Sequence, residues 1–305
     1  MISENRSLIN SERIVIAIYG RNLEPEFKPH LEILFNKLAQ SNVEVVVYAS
    51  FFEVLTKNLN LNLSAKAVYR TAGEVKHLAD FMLSLGGDGT FLESVAFVED
   101  SSIPVLGINF GRLGFLANIS TEDIGTSIDM LLRGEYSIEK RSLLQVISEP
   151  NPYLAFPYGL NDFTIQKIGT AMVTVNTYID NEFLCTYWSD GLIIATPTGS
   201  TAYSLSVGGP IVSPSLPSLL ISPIAPHHLT VRPFVIPDTC ILKLEVTSRT
   251  GDVLTSLDSH SYSLKLPITI EIKKAPFFIN LVNLKGVNMF KTLRAKLLWG
   301  ADKRN

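Results

Sequence analysis

An apolar run, Phe81-Met-Leu-Ser-Leu85, leads directly into Gly86-Gly-Asp-Gly-Thr90 and then into Phe91, Leu92, Val95 and Ala96 at helical spacing. A strand that turns through glycines into a helix is the junction from which βα units are built. It is also an anion site by its physics. Glycine lets the main chain approach an anion closely, and the helix start offers N–H groups without internal acceptors at the favourable end of the helix dipole. Thr90 is placed to cap that helix. Asp88 is the odd member. A bare carboxylate beside phosphates is repelled by them, and it makes sense there if it takes a proton from an attacking hydroxyl or faces a bound metal ion. Asp-Gly alone is an ordinary turn signal. Two glycines before the acid and one after it, at a strand end, point to chemistry. Neither G-x-x-x-x-G-K-[ST] nor G-x-G-x-x-G occurs. No lysine lies in the loop, so strong dependence on a metal ion is expected.

The flanking pattern sets the architecture. Residues 13–19 are a β-branched run closed by Gly20, and residues 27–40 carry Leu31, Leu34, Phe35 and Leu38 at helical spacing. Strand-like runs follow at 43–48 and 104–109, with an apolar pattern over 73–85. Strands alternating with helices imply right-handed crossovers and a parallel sheet. Near residue 120 the texture changes. Ser120 and Asp123 are placed to cap a helix with an apolar face of Ile124, Ile128, Leu131 and Leu132, stopped by Gly134. Beyond it the chain reads as strands. Runs at 172–179 and 183–188 flank Asp180-Asn181, runs at 240–249 and 253–257 flank Thr-Gly-Asp, and 262–273 is a long final run. In the tail, Phe290, Leu293, Leu297 and Leu298 form one helical face with Gly300 beyond. A β domain has little need of that helix, so it is expected to return to the first domain. The expected division is an α/β domain over 1–120, rejoined by 282–305, and an all-β domain over 121–281.

The length of 305 residues suits two domains at roughly 100–200 residues each. With 46% hydrophobic and 18% charged residues there is apolar mass for real cores. The net charge of −3 argues against a nucleic-acid partner. No apolar run reaches the roughly 18 residues needed to span a bilayer, and the polar, acidic start does not resemble a signal peptide. Cys185 and Cys240 have neither CxxC nor zinc-finger spacing. They read as reduced thiols of a cytoplasmic protein without a membrane partner.

A second signal runs from Asp190 to Pro210. A strand, residues 192–195, feeds a loop in which Thr198, Ser200, Thr201, Ser204 and Ser206 are neutral donors and acceptors suited to ribose hydroxyls or phosphate oxygens. Tyr203 is suited to lie against a base. No charge occurs from 191 to 210, as expected for a polyhydroxylated ligand. Asn161-Asp162 precedes a strand run at 163–166; as a pair they can hold a ribose diol or an adenine edge, or simply form a turn. His227 and His228 have no carboxylate at ligand spacing and read as structural. Gly107-Ile-Asn-Phe-Gly111-Arg-Leu-Gly114 reads as a tight turn after a strand, and Ser137-Ile-Glu-Lys140 as a chance match to S-x-x-K.

Taken in order, Gly86-Gly-Asp-Gly-Thr90, Gly107 to Leu116, Asn161-Asp162, the Asp190–Pro210 block and Ser222-Pro-Ile-Ala-Pro-His227 resemble the NAD kinase family, from about Arg13 to the end. Diacylglycerol and sphingosine kinases share the acidic glycine loop; the Thr-Pro-Thr-Gly-Ser-Thr-Ala-Tyr-Ser block is specific to NAD kinases. The resemblance implies a Rossmann-like α/β first domain, a β-rich sandwich-like second domain and an active site in the cleft between them. It implies that Asp88 takes the proton from the 2′-hydroxyl of the adenosine ribose of NAD as that oxygen attacks the γ-phosphorus of ATP. Gly86, Gly87, Gly89 and Thr90 would face phosphates. Asn161, Asp162, Asp190, Thr201, Ala202, Tyr203, Ser204 and Ser206 would bind the dinucleotide. Mg²⁺ or Mn²⁺ is implied as cofactor, and a homodimer or homotetramer as the assembly. Position 162 is Asp where the family commonly has Glu, one methylene longer, so this contact would pass through water or a small backbone shift. Two rivals are distinguishable. A lipid kinase calls for an apolar slot in place of the hydroxyl loop, and a sugar-phosphate kinase for a cluster of arginines. A nucleotide sensor without catalysis has no need of Asp88.

Overall fold

A computed structural model of the chain describes residues 13–111 and 113–298. Gly300, the expected helix stop, and Arg112 of the second glycine run lie outside these residues. The chain divides into two compact units, one running to Glu139 and resuming at Asn280, the other Lys140–Ile279.

The first unit alternates strands and helices: β1 (Ile14–Gly20), α1 (Lys28–Gln40), β2 (Val43–Tyr48), α2 (Ala49–Glu53), β3 (Ala67–Tyr69), α3 (Ala72–Lys76), β4 (Phe81–Leu85), α4 (Asp88–Val98), β5 (Val105–Ile108), β6 (Ala117–Ile119) and α5 (Ile124–Leu132). Its strands pair in the order β3-β2-β1-β4-β5, all parallel, with β6 parallel on β5. Every residue of β4 is buried, as both faces of a covered parallel sheet require. Leu31, Leu34 and Leu38 of α1 share one core with Ile124, Ile128 and Leu131 of α5. The helix expected to open the second domain therefore belongs to the first, because its apolar face is completed there, and the boundary expected at 120 moves to 139. Ser120 and Asp123 hydrogen-bond each other at 2.9 Å instead of capping α5.

The second unit is a two-sheet sandwich. Its strands are β7 (Tyr136–Ser148), which begins in the first unit, then β8 (Tyr158–Gly159), β9 (Asp162–Lys167), β10 (Val173–Ile179), β11 (Glu182–Ser189) and β12 (Gly191–Ala195). After the short helix α6 (Tyr203–Ser206) come β13 (Ser218–Ile224), β14 (Phe234–Pro237), β15 (Leu242–Ser248), β16 (Asp252–Leu257), β17 (His260–Lys265) and β18 (Ile268–Leu284), which ends in the first unit. One sheet contains β11-β10-β15-β18, the other β14-β13-β12-β9-β16-β17, with every neighbouring pair antiparallel. Val173, Leu244 and Ile270 from one sheet share a core with Phe163, Ile165, Leu192 and Ile194 from the other. Asp180-Asn181, with φ of 51° and 68°, makes the expected tight hairpin between β10 and β11. The expected single run at 262–273 is two strands, β17 and β18, parted at Leu266-Pro267, where proline has no N–H for a ladder. Strand β12 is buried on both faces, since Ile193 and Ala195 pack with Val212 and Leu220.

Helix α7 (Met289–Leu297) lies in the returning segment of the first unit, as expected. Its expected apolar face differs. Phe290 and Leu298 are exposed, Leu298 is the left-handed C-cap residue, and Thr292 is the buried position. Among the described residues no helix is long and apolar enough to cross a membrane.

Ile128 has no exposed surface, so Ile128→Ala should lower first-unit stability by about 2–5 kcal/mol. Chemical denaturation checks this, and a loss below about 0.5 kcal/mol would separate α5 from that core.

Candidate active site

In the first unit, β4 ends at Leu85 and the chain reverses through Gly86, whose φ of +152° an L side chain rarely adopts. Gly87 is the N-cap of α4 and Asp88 its first residue. Thr90 is therefore inside the first turn and does not cap it. A methyl added at Gly87 or Gly89 would meet nothing within 4 Å, so the main chain there borders open space. First-turn N–H groups have no intrahelical acceptor, which leaves this end of α4 built for an anion.

Asp88 is held by the main chain. Its Oδ2 accepts from Phe115 N–H at 2.9 Å, and its Oδ1 from Leu116 N–H and Ala117 N–H, each at 2.9 Å. A carboxylate offers about four lone-pair sites. Three are taken, and the free one is on Oδ2. Gly114 closes the cradle: a Cβ there would collide with Asp88 Oδ1. Asn109 pins the loop from the other side, donating from Nδ2 to Ala117 O at 3.1 Å and accepting from Gly111 N–H at 2.7 Å. The glycine run read from sequence as a strand-end turn is thus the seat of Asp88. Spacing alone did not show this; the place of Gly114, three residues before strand β6, was the usable signal. Lys296 of α7, also missed from sequence, sets its ammonium 3.7 Å from Asp88 Oδ2.

In the second unit the structure joins two sequence signals. Ala195 is opposite Asp162 in the β12–β9 pair, and Thr196 N–H donates to Asn161 O at 2.8 Å. Thr196 Oγ1 also donates to Leu160 O at 2.5 Å and accepts from Gly199 N–H at 3.2 Å. The 196–201 turn is thereby tied to Asn161-Asp162. Several of its hydroxyls face inward. Ser200 Oγ donates to Pro197 O at 2.6 Å and accepts from Val212 N–H at 3.0 Å, Ser204 Oγ pairs with Ser222 Oγ at 2.8 Å, and Arg141 Nη1 donates to the buried Thr198 Oγ1 at 3.3 Å. Thr198, Ser200 and Ser204 hold the turn's shape. Thr201, Ala202, Tyr203 and Ser206 keep exposed surface, with Tyr203 Oη accepting from Gln166 Nε2 at 3.0 Å. Asp190 stands at the opposite end of β12 from Thr196, a span of roughly 17 Å for five residues, and pairs with Lys167 Nζ at 2.6 Å.

A residue absent from the sequence reading organises this corner. Asp258, at φ 49° in the β16–β17 turn, accepts from the N–H groups of Leu160, Asn161 and Asp162 at 2.8, 2.9 and 3.1 Å. Its own N–H donates to Asp162 O at 3.0 Å. Burial raises the Asp162 carboxyl to about 7, with the neighbouring Asp258 charge adding to the shift. Asp258 is also raised by burial, to about 6, against the lowering effect of the three main-chain donors and His260. Among the described residues no group of three or more His, Cys, Asp or Glu side chains is arranged to hold a metal ion. Mg²⁺ characteristically keeps waters and binds through one or two carboxylates plus substrate phosphates. The acidic loop with its anion-binding helix start suits an ion that arrives on phosphate.

The first unit is thus a parallel α/β sheet with a main-chain-held carboxylate at a glycine-flanked helix start, and the second a β sandwich with a buried hydroxyl turn. The ATP-NAD kinase N-terminal domain model matches residues 16–136 and the ATP-NAD kinase C-terminal domain model residues 160–284. The NAD kinase of Cytophaga hutchinsonii is 41% identical over 295 residues, covering 96% of this chain and 100% of that protein. That of Flavobacterium psychrophilum is 42% identical over 293 residues, covering 95% and 99%. In fold the chain is similar to a yeast NADH kinase solved with NADH, at a TM-score of 0.84, 24% identity and coverage of 96% of this chain and 90% of that one. It is also similar to an NAD kinase from Archaeoglobus fulgidus solved with ATP, at a TM-score of 0.70, 23% identity and coverage of 93% and 99%. The chain belongs to the ATP-NAD kinase family.

The raised carboxyls set a pH dependence. With both groups above the ordinary Asp value of 3.8, the folded state binds more protons than the unfolded chain between about pH 4 and 7. Their contribution is full below about pH 4 and declines as pH rises to 7. Asp162→Asn removes the larger shift, so its stability should fall less than the wild type's across this range, by up to a few kcal/mol. Denaturant titrations at pH 4, 5.5 and 7 measure it, and parallel pH curves for the two chains would refute it.

Proposed function

We propose that this protein transfers the γ-phosphoryl group of ATP to the 2′-hydroxyl of the adenosine ribose of NAD, giving NADP, with Asp88 as general base. The reading is carried by a carboxylate seated by three amides at the start of α4, with one lone pair of Oδ2 left to accept a proton. The relatives named NAD kinase over nearly the whole chain support the substrate, and the ATP complex of the archaeal neighbour supports the donor.

The step balances as follows. The ribose 2′-oxygen gives its proton to Asp88 Oδ2 and forms a bond to the γ-phosphorus. The bond from that phosphorus to the β-phosphate bridging oxygen breaks, and ADP leaves with that electron pair. Such transfers depend on positioning and charge neutralisation. The amides of Gly87, Gly89 and Thr90 donate to phosphate oxygens, and Gly86, whose own N–H donates to Ile108 O at 3.0 Å, shapes the turn that presents them. Mg²⁺ or Mn²⁺, when bound with ATP, neutralises phosphate charge. Asn161 and Asp162 hold the ribose and adenine. The exposed surfaces of Thr201, Ala202, Tyr203 and Ser206 line the dinucleotide, with the buried Ser204 holding the turn behind them and Asp190 at its far end. The position of β11 at the end of its sheet, with Phe183 and Trp188 partly exposed, supports a homodimer or homotetramer. The two free cysteines support a cytoplasmic setting.

Asp88→Asn keeps the size of the side chain but puts an amide nitrogen against main-chain donors and removes the base. NADP formation should fall about 10²–10⁴-fold while calorimetric NAD affinity stays within about threefold; near-full turnover would reject the base assignment. Excess EDTA should abolish turnover and added Mg²⁺ restore it, and NADP formation that persists in EDTA would reject the metal requirement.

A further inference from the structure

The acidic glycine loop has no lysine of its own, and a carboxylate among phosphates needs its charge offset. Helix α7 brings a cation to that point. Lys296 lies in its last turn with the ammonium 3.7 Å from Asp88 Oδ2 and 4.6 Å from the centre of the Phe115 ring. Phe115 is the residue whose N–H holds that same Oδ2. The ammonium therefore sits at the one carboxylate oxygen with a free lone pair. Both side chains are about one-third exposed, at 34% and 29%, so the pair is reachable from solvent.

The distance matters. At 3.7 Å the ammonium is attracted to Asp88 but lies outside hydrogen-bond range, so Asp88 consumes none of its three N–H donors. A basic residue near a helix C-terminus also has a bland explanation, interaction with the helix dipole. Arg294, in the same turn, satisfies that explanation without reaching Asp88. The seat on Phe115 and the approach to Oδ2 are specific to Lys296.

We propose that Lys296 is the phosphate-contacting cation of this site, supplied in trans to the loop by the C-terminal helix. From its place beside Oδ2 it donates to the oxygens of the triphosphate and offsets the repulsion between Asp88 and that triphosphate. It does what a lysine within a phosphate loop does elsewhere, from the far end of the chain. This rests on the kinase reaction proposed above.

The test uses the full chain. Lys296→Met keeps the stem on Phe115 and removes the charge. It should raise KM for ATP about tenfold, as expected for one lost charge-assisted hydrogen bond, while KM for NAD moves less than about twofold. Lys296→Arg should recover most of the loss, and Arg294→Met should match the wild type. A KM for ATP within about twofold of wild type in Lys296→Met overturns the proposal, as does an equal rise for NAD. Where the Met variant is unstable, acetylation of the wild type decides. ATP with Mg²⁺ should slow acetylation of Lys296 several-fold and leave Lys291 unchanged, and equal acetylation of Lys296 with and without ATP overturns the proposal. A wild-type chain that forms no NADP rejects the kinase reading itself, whereas an active wild type with an indifferent Lys296 rejects only this inference.

Discussion

Three amide hydrogens converging on one carboxylate govern the first unit. Asp88 reaches the N–H groups of residues 115–117 only because α4 starts one residue after Gly87 and because Gly114 has no side chain. Charge-assisted bonds of this kind are short and strong. They fix which oxygen faces out, and they couple the helix start to the chain that enters β6. Loss of any part releases the rest. If Gly114 is filled, the carboxylate must leave; if the carboxylate leaves, three amides lose their acceptor, at a cost of about 1–3 kcal/mol each where buried.

The second unit repeats the device. Asp258 gathers the N–H groups of residues 160–162 as Asp88 gathers those of 115–117. In both cases a carboxylate from one element orders a main-chain segment of another and fixes where that segment stands. The surroundings separate the two. Asp88 has a cation beside it and borders open main chain. Asp258 has the buried Asp162 beside it, and both carboxyls are pushed upward. One site sets a cation beside its carboxylate. The other tolerates two acids by discouraging both from ionising together.

Fold class was legible because its signals are local. The alternation of β-branched runs with the Leu31, Leu34, Leu38 period marks an α/β unit, and Asp180-Asn181 marks a hairpin. The boundary was less legible, since α5 looks the same from sequence whichever unit completes its apolar face; only packing against α1 assigns it. The acidic loop and the hydroxyl block were visible as clusters of unusual composition. What those residues do was partly hidden. Density of hydroxyls suggested outward donors, yet Ser200 and Ser204 spend theirs on the turn itself, because a reversal packed against the Ile193 and Ala195 face of β12 has buried amides and carbonyls to satisfy. Asp258 and Lys296 were invisible for a different reason. Each lies nearly a hundred residues or more from the segment it serves, and a single Asp or Lys carries no local pattern.

That contrast bears on the C-terminal segment. Sequence alone gave it a helix with an apolar face, and the natural reading is a helix recruited for packing. The structure gives it little packing to do. Phe290 and Leu298 stand exposed, and Thr292 is the residue turned inward. A helix that buries so little gains only modest stability from hydrophobic contact, so its return to the first unit calls for another account. Its start is fixed by the Asn288 cap, whose side chain accepts from Lys291 N–H at 3.0 Å, and its last turn carries the ammonium to Oδ2 of Asp88. Anchored at one end and charged at the other, α7 is better understood as an arm that positions a cation than as a core element.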